Sequence, residues 1–112
     1  MTTDYEPTTP AGDIQGYLLL ARRGVDLAER AHDESNARDA ARAVWVVDRC
    51  YFEASKLAEY VGPGDMAEVD TMMDTMDEYA VRAEELAASV PGAAEKIRAA
   101  RDAGAPTPRS KP

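Results

Sequence analysis

Residues 37–64 read ARDAARAVWVVDRCYFEASKLAEYVGPG, and the spacing of their apolar positions decides the fold class. Ala37, Ala40, Val44, Val47, Tyr51 and Ala58 recur at intervals of three, four and seven, the repeat of one helix face; a strand would alternate every second residue. Ala43, Val46, Cys50, Ala54, Leu57 and Val61 widen that face, and Trp45 and Phe52 sit one heptad apart on its opposite shoulder. An arc so wide needs two neighbours. The segment therefore reads as the central helix, 37–61, of an all-α bundle, or as the face of an oligomer. Its remaining side carries Arg38, Arg42, Arg49 and Lys56, a narrow basic column read as solvated surface that pairs with nearby acids.

Val61-Gly62-Pro63-Gly64 ends this helix, since proline lacks the N–H that would continue it and glycine accepts left-handed turns. Asp65 followed by Glu68 resembles a capping box, which starts a third helix at about 65 and runs it to about 90. Its buried arc is Met66, Val69, Met72, Met73, Met76, Tyr79, Ala80, Ala83, Leu86, Ala87 and Val90. Asp70, Asp74, Asp77, Glu78 and Glu85 cover the reverse, so the outward face is almost purely acidic.

Upstream, Thr9 and Pro10 suit an N-cap and first helical position, and a first helix is expected over 10–32. Its arc collects Ile14, Tyr17, Leu18, Leu20, Ala21, Gly24, Val25, Leu27, Ala28 and Ala31, with Leu19 pointing to water. Gly24, flanked on that arc by alanines, lets a neighbouring backbone come close. Asp33 to Asn36 break the pattern with capping residues. Pro91 stops the third helix and opens a short fourth segment over 91–104, in which Ile97 is the sole large aliphatic. The expected architecture is thus an antiparallel three-helix bundle over 10–90 with a short fourth helix. An N-terminal arm (1–9) and a tail (105–112), rich in Thr and Pro, are expected to be flexible and disordered.

A chain of 112 residues supports one domain with one modest core. A formal charge of -8 and a pI near 4.6 disfavour nucleic acid and anionic membrane and favour cationic partners. One cysteine forbids an intrachain disulfide, and no apolar run approaches the roughly 18 residues of a membrane span. A cytoplasmic protein, neither exported nor embedded, is expected.

Chemistry finds few footholds. Glu29-Arg30-Ala31-His32 has the E-x-x-H spacing of carboxylate-bridged di-metal bundles, but such a site needs a second motif and His32 is the only histidine. An ordinary residue at a helix C-terminus, favoured by the dipole, is the simpler reading. Histidine phosphotransfer bundles place a lysine and a glycine three and four residues after their histidine, where this chain has Ser35 and Asn36. Cys50 sits among Val46, Val47 and Ala54 without a base, as a buried inert thiol does. No phosphate-cradling glycine motif occurs. No catalytic residue, metal or cofactor is expected. The methionines of the third helix have two readings, core filler or adaptable ligand surface, because the thioether side chain is flexible and polarizable.

Residues 77–86, DEYAVRAEEL, and the spacing of Asp33, Ala41 and Trp45 together make residues 14–90 resemble the microtubule-interacting and trafficking domain. That family's lysines before the first loop and glycine within it are absent, and Trp45 stands for its tyrosine. The resemblance implies a three-helix bundle that docks an amphipathic peptide along the third helix. Met72, Met76, Tyr79, Ala83 and Leu86 would supply apolar contacts there, and Asp77 or Glu84 would receive a basic residue of the ligand.

The function expected is therefore a non-enzymatic protein–protein interaction or adaptor module that binds a helical or basic peptide segment of another protein. The alternative is a homo-oligomer, such as a homodimer, that buries the second helix with Trp45 and Phe52 on its surface. A ferritin-like metal carrier or a phosphotransfer bundle built on His32 ranks below both.

Overall fold

The computed structural model describes residues 9–104. The arm at 1–8 and the tail at 105–112 lie outside the described residues. Four α-helices follow in order: α1 Pro10–Asp33, α2 Ala37–Ala58, α3 Met66–Ala88 and α4 Ala93–Asp102, with a 3-10 turn at Pro63–Asp65 before α3. The described residues contain no strand, so the chain is all-α.

Local chemistry explains the boundaries. The Gly12 amide donates to the Thr9 hydroxyl oxygen at 3.0 Å, and Pro10 loses nothing at a position whose N–H has no helical acceptor. At α2 the Asp39 amide donates to the Asn36 side-chain oxygen at 3.1 Å, while the Asn36 side-chain amide donates to the Asp39 carboxylate at 3.1 Å. Between these helices Ser35 adopts φ 53, and the Asn36 and Ser35 amides donate back to the Ala31 and His32 carbonyls at 2.8 and 3.2 Å. This closing turn favours glycine at the left-handed position, and serine there carries a Cβ penalty. Ser35→Gly is expected to stabilise the chain by about 0.5–1 kcal/mol, read as a higher urea midpoint at unchanged slope.

Two boundaries differ from expectation. α2 ends at Ala58, three residues before Val61, with Tyr60 and Val61 bonding back in tight three-residue turns to Leu57 and Ala58. Pro63 holds the residue before it, Gly62, in extended backbone (φ -72, ψ 160), and the chain approaches that point through the tightened turns at 60 and 61. α3 is entered through the 3-10 turn, and the Asp65 side chain makes no capping bond. Its backbone is already near-helical (φ -106, ψ -2), whereas a residue that caps with its side chain is typically extended. The capping box does not form.

α1, α2 and α3 each pack on the other two, and α2 also carries α4, which touches α3 less. The width of the α2 arc is thus taken up by three neighbours within the chain. The core joins Ile14, Ala21 and Ala28 of α1, Val44, Val47 and Ala54 of α2, and Val69, Met76, Ala83 and Ala87 of α3, together with Ala93 of α4. Alanine at so many of these positions brings helix axes close. The helices come close at Gly24, where an added Cβ would lie 2.6 Å from a Val47 methyl carbon. Leu20 and Met66, expected in buried arcs, are instead 46% and 41% exposed.

Candidate functional site

The expected contact row on α3 separates into two groups. Met72, Met76, Ala83 and Leu86 are all buried and belong to the same core cluster as residues of α1 and α2. Packing within the chain covers the row that a ligand groove would have to present. Tyr79 and Asp77 are half-buried at its edge.

Glu84 is different, because a basic residue does reach it, from α4 of the same chain. The Arg101 guanidinium donates from Nη2 to Glu84 Oε2 at 3.0 Å and to Asp48 Oδ2 at 3.1 Å. Asp48, at 2% exposure, is the one charged residue among the buried side chains described. A carboxylate removed from water needs a cation and donors close by, and Arg101 supplies the cation and one hydrogen bond, to Oδ2. Around this cluster Ala41, Val44 and Trp45 of α2 face Ile97 and Ala100 of α4, leaving a gap of about 10 Å³, roughly one water. Asp48 and Arg101 did not stand out as sequence. The available signals were an acid inside the apolar run 43–50 and an Ile-Arg pair four residues apart on α4, which share one helix face.

Trp45 and Phe52 lie along the basic column. Trp45 is 40% exposed with the Arg49 guanidinium 5.9 Å from its ring centre, and the Lys56 ammonium stands 4.8 Å from the centre of the Phe52 ring. Glu53 bridges the two cations, accepting from Arg49 at 3.0 Å and lying 3.1 Å from Lys56. The Lys56 hydrogen bond, helped by Arg49, holds the Glu53 carboxyl below its ordinary range. On the far side of Glu53 an open cleft of about 520 Å³ separates the ends of α1 and α2, lined by Gly12, Gly16, Tyr17 and Leu20 opposite Lys56 and Leu57. This cleft is what leaves Leu20 open.

No known protein family, curated protein or solved structure matches the chain.

His32 and Glu29 stay apart in their contacts. His32 is exposed in the last turn of α1, 3.6 Å from Asp33, and Glu29 lies 3.8 Å from Arg82 of α3. Among the described residues no group of three or more His, Cys, Asp or Glu side chains is arranged to hold a metal ion. No described helix is long and apolar enough to cross a membrane. Cys50 is buried, and burial pushes its thiol from 9.0 up to about 11. At about pH 8 the folded chain then holds about a hundredfold less thiolate than an unfolded one. Labelling by a disulfide reagent is expected to be at least that much slower in buffer than in guanidinium, and equal rates would show the thiol to be open. Because the raised value favours the protonated folded form, its stabilisation is complete below pH 9.0 and is lost as pH rises toward about 11.

Proposed function

We propose that this chain is a non-enzymatic interaction module, an antiparallel three-helix bundle that binds a short amphipathic helix of a protein partner. The observation that supports this most is the seat of α4, where an apolar floor of Ala41, Val44 and Trp45 ends at two carboxylates, Asp48 and Glu84, holding one arginine. Such a surface reads a helix by two features: an apolar residue for the floor, and an Arg or Lys four positions later for the acids. In the chain itself a single guanidinium nitrogen, Arg101 Nη2, donates to both carboxylates. The excess of negative charge elsewhere, on Asp70, Asp74, Glu78 and Glu85 of α3, would speed the approach of such a basic segment more than it would tighten the complex.

This reading keeps Glu84 as an acceptor of the ligand's basic residue and moves the apolar contacts from the α3 methionines to α2. The test is a titration of the isotope-labelled chain with a helical peptide that carries isoleucine and arginine four apart, against the same peptide with glutamate for arginine. The arginine peptide should shift the Trp45 indole and the Ala41 and Glu84 amides, and the glutamate peptide should not. Equal shifts from both peptides would remove the acid pair from recognition.

A further inference from the structure

We propose that α4 is a displaceable occupant of the helix-binding seat on α2, a built-in competitor that a partner helix of the same pattern must dislodge; this rests on the binding reading above. α4 has ten residues, fewer than an isolated helix needs to persist in water, so its helical form depends on docking. It docks by one edge. Only Ala93 is buried, Ile97 and Ala100 are half-buried, and the Arg101 side chain is 31% exposed, whereas α3 buries seven residues. The joint to α3 contains exposed Pro91 and Gly92, and Gly92 turns at φ 86, a conformation glycine enters and leaves easily.

What α4 covers is also suited to being uncovered. The Arg101 and Glu84 side chains are 31% and 33% exposed, so the ion pair between them already opens to water on one side, with Asp48 buried behind it. Breaking this pair therefore costs less than breaking one sealed inside the bundle. The seat asks for an apolar residue and a cation four positions on, and Ile97 and Arg101 meet that requirement within the chain. A tethered ligand of matching pattern lowers the apparent affinity for any external helix by the fraction of time it occupies the seat.

Arg101→Glu in the full chain tests this by placing a third carboxylate beside Asp48 and Glu84. Amides of 93–102 should lose hydrogen-exchange protection by about tenfold or more, while those of α1, α2 and α3 stay within about twofold. A synthetic peptide of residues 91–104 should bind the variant at least about tenfold tighter than the wild-type chain, by anisotropy of a labelled peptide. The same peptide carrying R101E should bind neither. Loss of protection throughout the bundle would make α4 part of the core and overturn the proposal. Unchanged protection at 93–102, or equal peptide affinity for both chains, would also overturn it. If α4 is released and the peptide still binds nowhere, the helix-binding reading itself fails, and the competitor with it. Ile97→Ser, which leaves the acids untouched, should give the same two readouts and serves if Arg101→Glu does not fold.

Discussion

Met76→Asp is expected to unfold the chain at room temperature, with far-ultraviolet circular dichroism falling to the level of the denatured protein. Met76 is fully buried, in a core cluster drawn from α1, α2 and α3. Removing its side chain leaves a cavity worth about 2–5 kcal/mol, and a carboxylate placed there without a cation adds several more. A domain of this size is held by about 5–15 kcal/mol in all, so one substitution consumes most of it. Met66→Asp is the contrast. Met66 is 41% exposed at the first position of α3, where an acid is favoured by the helix dipole, and the change should stay within about 0.5 kcal/mol of neutral. Two methionines of one helix thus separate core filling from surface. A folded Met76→Asp chain would show that the α3 row is open after all.

The legibility of this fold followed the periodicity. The arc of α2 named Ala40, Val44, Val47 and Ala54 as interior, and all four are buried. The acidic reverse of α3, from Asp70 to Glu85, is outward as its spacing implied, with Asp77 alone half-buried. Periodicity gives the direction in which a residue points, and it is silent on how far a neighbour extends over it. Leu20 points between α1 and α2 where an open cleft lies, and so remains exposed. The same limit hid the Asp48–Arg101 contact, whose partners are 53 residues apart and meet only once α4 folds back onto α2. A charge in an apolar run signals that a counter-charge is needed; it does not say from which element the counter-charge comes. The methionines show a further limit. Flexible side chains fit both a core and a ligand groove, and the choice is made by packing.

Gly24→Val is expected to lower Tm by about 10 °C, an effect of about 2–3 kcal/mol, because the helix that gains a side chain has no room for it. An added Cβ would stand 2.6 Å from a Val47 methyl carbon, 3.3 Å from a Val46 methyl carbon and 3.5 Å from the Ala43 carbonyl oxygen. Val47 is fully buried, and a valine inside a helix has essentially one rotamer, so it cannot swing aside. The strain must then be relieved by moving α1 away from α2, which loosens the alanine contacts at Ala21 and Ala28 that depend on close axes. Gly16→Ala isolates the opposing term. Nothing lies within 4 Å of an added Cβ there, so the change should raise stability by about 0.5–1 kcal/mol through helix propensity alone. Space can also be returned from the other side. Combined with Val47→Ala, Gly24→Ala places its methyl where the valine methyls were, and the double variant should be more stable than the sum of the single changes by about 1 kcal/mol or more. Strict additivity would mean that the two helices do not meet at this point, and the closeness of α1 to α2 would lose its explanation in Gly24.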